Sequence, residues 1–153
     1  MAQKRKTDHS KTNTATLPEM AALLRKIEEK TAHAVKDNLG DDWRENLFEI
    51  VMTRVELAAP HKKQFLALPA AFRHDPKAIP RFARTYCGTM RRMLKLAKAP
   101  AHPHHIAAFS VLYATIIDTF LKDPTRDHAK TMAALDKRLG WFEQAVNFSH
   151  CKR

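Results

Sequence analysis

Glycine is almost missing from this chain, with three in 153 residues. Tight hairpins draw on Gly and Asn-Gly pairs, so a fold of many short strands is excluded. Cysteine is nearly as scarce: Cys87 and Cys151 are the only two. That rules out a disulfide scaffold and a thiolate zinc centre, and a reducing compartment is expected. The N-terminus has no apolar run behind its basic residues, so no signal peptide is expected. The apolar run Ile106–Ile117 falls short of the about 20 residues that span a bilayer. No nucleophile, paired carboxylate or phosphate-binding loop stands in a recognisable motif. The chain is therefore expected to be a soluble, cytoplasmic, non-enzymatic protein with no cofactor and no metal.

What is present favours helix: Ala, Leu, Lys, Arg and Met abound. Residues 1–15 are polar and aperiodic, and read as a disordered basic arm. Residues 16–150 read as one all-α domain of about six helices. Thr16-Leu-Pro-Glu19 is a capping box that opens a helix to about Asn38, closed by Gly40. Asp42-Trp-Arg-Glu45 opens a second, to about Ala59. A short third helix covers His61–Leu68 and ends at Pro69. The fourth starts irregularly at Asp75-Pro76 and runs regularly from about Pro80 to Lys98. The fifth, from about Pro103 to Leu121, belongs to a stretch, Ala99 to Ile117, that contains no Lys, Arg, Asp or Glu. A helix apolar all round must be covered on every side. Asp123-Pro124 reads as the start of the last helix, which runs to about Phe148. Met132, Leu135, Leu139, Phe142 and Val146 make a coiled-coil-like seam on it. Gly140 lies in that helix, where Gly costs about 1 kcal/mol against Ala. It points to close backbone approach or to simple tolerance.

The charge is uneven. Of a net +11, residues 60–98 carry +9, because ten bases stand there against Asp75 alone. Within that segment Arg81, Arg84, Arg91, Arg92, Lys95 and Lys98 fall on one helical stripe. The stripe is either a solvated face or a holder of anionic phospholipid, nucleic acid or an acidic partner. Lys4-Arg5-Lys6 either adds to it or serves as a solubilising tail. The cluster His102, His104 and His105 has no second ligand group at metal spacing and reads as a polar loop. Ser110, Tyr113 and Thr115 either present polar contacts in a pocket or bond within their own helix. Asp118 and Asp136 have no catalytic partner in a motif, and Asp118 is expected to pair with Arg or to cap a neighbouring group. Cys87 is expected to act as a small buried hydrophobe.

Residues 42–61 (DWRENLFEIVMTRVELAAPH) resemble the first long helix of the regulatory domain in a branch of TetR-like proteins. Residues 120–139 (FLKDPTRDHAKTMAALDKRL) resemble that branch's last helix and the C-terminal domain of the lipid-binding accessory proteins of ubiquinone biosynthesis. The resemblance covers roughly residues 18–148. It implies a ligand-binding and dimerisation domain, a homodimer formed by the last two helices, and an apolar or isoprenoid-like ligand enclosed by the middle ones. The dimer interface would then involve Ile106, Ile116, Met132, Leu135, Leu139, Phe142 and Val146. The pocket would be lined by Phe82, Tyr86, Met90, Met93, Phe109, Leu112 and Tyr113, residues whose spacing alone fits plain core equally well. Peripheral contact with the inner membrane or an acidic partner is a further implication. Such regulators begin with a helix-turn-helix. Only about 17 residues precede the first regulatory-type helix here, so sequence-specific DNA binding is not expected from this chain. A headless relative and a gene start that omits an upstream segment both fit. The alternative function is a ligand-sensing regulator without its DNA-binding headpiece.

Overall fold

The computed structural model describes residues 16–150, apart from the side chain of His150; the basic arm of residues 1–15 and Cys151 lie outside them. Among the described residues there are six α-helices and no strand. They are α1 (Leu17–Val35), α2 (Trp43–Ala58), α3 (Lys62–His74), α4 (Ile79–Leu96), α5 (Pro103–Lys122) and α6 (Ala129–His150). Short 3-10 turns, Ala59–His61 and Pro76–Ala78, join α2 to α3 and α3 to α4.

The first helix starts where local chemistry puts it. The Thr16 hydroxyl accepts from the Glu19 amide, and the Glu19 carboxylate accepts from the Thr16 amide. Asp42 caps α2 by accepting from the Arg44 and Glu45 amides. Gly40 does not close α1. The helix ends at Val35, and Gly40 has no positive φ. Its amide donates to the Asn46 side-chain oxygen at 2.9 Å, while the Asn46 side-chain Nδ2 donates to the Gly40 and Ala97 carbonyls, both at 3.1 Å. Buried Asn46 thus ties the α1–α2 loop to the end of α4.

Three other boundaries differ from expectation. Pro69 lies inside α3, which continues to His74. The fourth helix ends at Leu96 in a left-handed turn, two residues short of the expected Lys98. Lys98 has φ 63°, the Ala99 amide reaches the Leu94 carbonyl, and the Lys98 amide reaches Lys95. Asp123 does not start the last helix, because its carboxylate is engaged with Thr125 and Thr131 and α6 begins only at Ala129.

Helices α1 and α2 pack on each other, and α5 and α6 form an antiparallel pair. His105 meets Ser149 at one end of that pair, and Thr119 meets Arg138 towards the other. Helix α2 lies between, touching α1, α4 and α6. The core runs through Leu47, Ile50, Val51 and Val55 of α2, Phe109, Ile116 and Phe120 of α5, and Leu135 and Leu139 of α6, all at most 1 % exposed. Each such burial contributes roughly 1.5–3 kcal/mol. Arg44 adds an ion pair across the surface, from α2 to Asp136 of α6 at 2.9 Å. Twenty residues long, α5 is by length and composition alone apolar enough to cross a bilayer, which the shorter run Ile106–Ile117 within it is not. Here one side of it fills the core and the opposite side stays exposed.

Candidate binding surfaces

The seam on α6 is real, but it faces inward. Leu135, Leu139, Phe142 and Val146, with Ile106 and Ile116 of α5, are buried within the single chain. Periodicity locates an apolar face; here α2 and α5 of the same chain already cover it. Of the residues expected at a dimer interface, only Met132 stays exposed. Exposed apolar side chains lie beside the seam instead. Val111 of α5 is 68 % exposed, and Trp141 and Phe148 of α6 are 58 % and 71 % exposed. Trp141 and Phe148 are seven residues apart, so they share one side of α6. Ala145 lies between them and is also exposed.

An open groove of about 660 Å³ runs along this side. Its floor is the outer ridge of α5, made of Ser110, Val111, Ala114, Thr115 and Asp118. Tyr86 and Cys87 of α4 form one wall, and Arg138 of α6 the other. The small side chains along α5 let the groove approach that helix closely. Arg138 is held by the Thr119 hydroxyl at 3.2 Å and the Thr115 carbonyl at 3.4 Å. The Tyr86 hydroxyl donates to the Ser110 carbonyl at 2.6 Å. Burial, with Tyr113 and Cys87 close by, pushes the Tyr86 phenol well above its ordinary range, so it remains a neutral donor. Cys87 is exposed rather than buried. The Ser110 and Thr115 hydroxyls turn back on the carbonyls of Ile106 and Leu112, so the groove is poor in free polar groups.

A second, narrower cleft of about 210 Å³ lies between α1, α2 and α4, lined in part by Met93 and Arg54. Of the residues expected to line a pocket, Tyr86 borders the groove and Met93 the cleft. Phe82, Met90, Phe109, Leu112 and Tyr113 border neither. Met90, Phe109 and Tyr113 are buried core, while Phe82 and Leu112 pack against that core. The Phe109 ring lies 6.3 Å from that of Tyr113 and 5.7 Å from that of Phe142.

The basic stripe is on the surface as expected: Arg81, Arg84, Arg91, Arg92, Lys95 and Lys98 are all exposed. Two of the six are engaged. Arg92 pairs with Glu28, and Lys98 donates to the Gly40 carbonyl at 3.0 Å and lies 3.5 Å from Asp41. The side chains of Arg81, Arg84, Arg91 and Lys95 make no hydrogen bond or ion pair among the described residues. No acid lies anywhere in Ile79–Leu96 to offset them.

His102, His104 and His105 gather at the start of α5, with the His104 and His105 rings 4.0 Å apart. Among the described residues no group of three His, Cys, Asp or Glu is placed to hold a metal. Asp118 pairs with Lys122 of its own helix at 2.8 Å, and Asp136 pairs with Arg44. A Cβ at Gly140 would meet nothing closer than Arg44, 3.9 Å away, so no close backbone approach explains that glycine.

Arg54, which belongs to no motif in the sequence, is buried in the fold at 3 % exposure. A signal was there. Arg54 follows Leu47 by seven residues and Ile50 by four, and so sits on the apolar side of α2 rather than with Glu45, Glu49 and Glu56.

No known protein family, curated protein or solved structure matches this chain.

Proposed function

We propose that this protein is a non-catalytic helical binder that works as a homodimer and carries an apolar, isoprenoid-like ligand, similar in kind to the TetR-like accessory proteins of ubiquinone biosynthesis. The observation that carries the reading is the exposed apolar side of α5 and α6. Val111, Trp141 and Phe148 are large, solvent-facing and on neighbouring helices. Large apolar side chains exposed on neighbouring helices mark a candidate interaction site. A second copy is the occupant that completes it most simply. In a two-fold contact each helix pair meets its own equivalent, and every favourable contact is made twice.

The same contact would roof the groove along α5. A groove of about 660 Å³ has the size of a small-molecule site, which runs about 300–1,000 Å³. Open, it is wet. Closed by a partner, it would become a mostly apolar chamber between copies, walled by Tyr86, Cys87 and the small residues of α5, with Asp118 and Arg138 as its charged members. The ligand then sits at the dimer junction rather than inside one subunit, where Phe109 and its neighbours already fill the space. The free bases of α4, Arg81, Arg84, Arg91 and Lys95, lie next to that chamber and suit contact with an anionic membrane surface.

Native mass spectrometry of the purified protein, followed by organic extraction, tests this reading. The expected result is a dimer that releases a lipid, and a monomer without lipid for Val111→Glu and Trp141→Glu. Both positions are exposed, so neither change disturbs the core. Leu139→Asp is not a useful probe, because Leu139 is 1 % exposed within one chain and its replacement would unfold the protein. A wild-type monomer, or a dimer that both substitutions leave intact, would reject the interface. A dimer free of lipid would favour a ligand-sensing regulator relative or a scaffold.

A further inference from the structure

We infer that the cleft between α1, α2 and α4 binds a small organic carboxylate with a short apolar tail, held by Arg54. The cleft shares no lining residue with the groove along α5. The inference therefore stands apart from the dimer and its ligand.

Arg54 is a buried guanidinium with a single hydrogen bond, from its Nε to the Tyr113 hydroxyl at 3.0 Å. Its Cζ also lies 5.7 Å from the Tyr113 ring centre. The two Nη nitrogens make no hydrogen bond among the described residues. Arginine stays protonated in proteins, and a charge largely withdrawn from water is costly unless it is paired. The nearby acid is already committed. Glu28 accepts from Arg92 on both carboxylate oxygens, with the Arg92 Nη2 at 3.1 Å, and from the Thr89 hydroxyl at 3.0 Å. Burial pushes the Glu28 carboxyl up, but the bonds from Arg92 and Thr89 and the charges of Arg92 and Arg54 outweigh it and hold it below its ordinary range. Glu28 is thus a carboxylate bonded to Arg92, and Arg54 feels it only at longer range. Two guanidiniums and one carboxylate leave one positive charge in excess.

The rest of the lining sets the class of ligand. Ile50, Met93 and Leu96 are apolar, while Ala32 and Arg92 are the exposed members and mark the mouth. A singly charged carboxylate matches the excess charge, and its two oxygens match the paired donors of a guanidinium. A dianionic phosphate would overshoot the charge and meet Glu28. A space of about 210 Å³ equals roughly seven waters at about 30 Å³ each, enough for a butyrate-sized or benzoate-sized acid whose tail lies on Ile50 and Met93.

Isothermal titration with butyrate, benzoate and inorganic phosphate at constant ionic strength in chloride is the test. The expected result is saturable binding of one carboxylate per chain, with an unfolding temperature that rises with its concentration. Arg54→Lys keeps the charge but loses the paired donors, and should weaken binding at least tenfold. Ala32→Phe plugs the mouth from an exposed position, and should abolish binding while leaving the unfolding temperature of the free protein near wild type. The second variant keeps the inference testable should the first fail to fold. Absence of saturable carboxylate binding overturns it, as does binding that survives Ala32→Phe. Binding of phosphate in preference to the carboxylates overturns the assigned class.

Discussion

Asp123 shows how much one side chain can do at a corner. It terminates α5 and is 3 % exposed, yet it is charged. One carboxylate oxygen accepts from the Thr125 hydroxyl at 2.6 Å and the Thr125 amide at 3.0 Å. The other accepts from the Thr131 amide and hydroxyl, both at 2.9 Å. Lys62 closes the back of the corner, donating to the Asp123 carbonyl at 2.9 Å with its ammonium 4.5 Å from the centre of the Phe120 ring. The Thr125 hydroxyl lowers the Asp123 pKa most. Burial opposes it, and the remaining donors outweigh the burial, so the carboxyl titrates far below its ordinary range. A carboxyl whose folded pKa is depressed stabilises the fold above its unfolded pKa of about 3.9, and loses that contribution as pH falls towards the folded value. Urea midpoints measured from neutral pH downwards should therefore drop below about pH 4. Asp123→Asn should lower the midpoint at neutral pH and flatten the acid limb. An acid limb identical in the two proteins would show that Asp123 does not drive the loss.

Among the helices, α3 breaks the plainest local rule. Pro69 removes one backbone hydrogen bond, crowds the carbonyl four residues before it, and yet lies within a helix that runs from Lys62 to His74. The helix persists because Phe65 and Ala71 anchor it on either side of the proline. Its cost remains, so Pro69→Ala should stabilise the protein by roughly 2 kcal/mol. That figure is the about 3 kcal/mol charged to an interior proline, less about 1 kcal/mol for its stiffening of the unfolded chain. Urea denaturation reads the difference directly, and an unchanged midpoint would mean that α3 is already bent to suit the proline. The same contrast explains what the sequence could reveal. Caps at Thr16 and Asp42 depend on residues two or three apart, and they are where local chemistry puts them. The start of α6 depends on Thr131 reaching back eight residues to Asp123, and Pro69 is overruled by packing; neither is local. The seam through Leu135 and Leu139 was legible as an apolar face. Its cover was not, since period alone does not distinguish a helix of the same chain from one of a second copy. Arg54 sat in the apolar register of α2, yet only the packed fold shows that Glu28 is occupied by Arg92 and leaves it unbonded at Nη.

Across the whole molecule, apolar and basic surfaces are separate but adjacent. Helix α4 carries the basic stripe and also contributes Tyr86 and Cys87 to the groove, whose far wall is α6. The proposed carrier of an apolar ligand would use both, one to hold the cargo and the other to approach an anionic surface. The two engaged bases dictate the design of the experiment. Reversing Arg92 would also break its pair with Glu28, and reversing Lys98 would disturb the left-handed turn that ends α4. Arg84 and Arg91 are exposed and free of both complications. Each basic residue near an anionic leaflet contributes about 1 kcal/mol. Arg84→Glu with Arg91→Glu should therefore weaken binding to phosphatidylserine vesicles by at least about 2 kcal/mol, on the order of thirty-fold. Raising salt should weaken the wild type in the same direction, because the Debye length shrinks from about 10 Å at 0.1 M to about 3 Å at 1 M. Neutral vesicles set the baseline. Vesicle sedimentation that is insensitive to both salt and charge reversal would remove the stripe from the mechanism. Any membrane contact would then be left to the apolar side at Trp141 and Phe148.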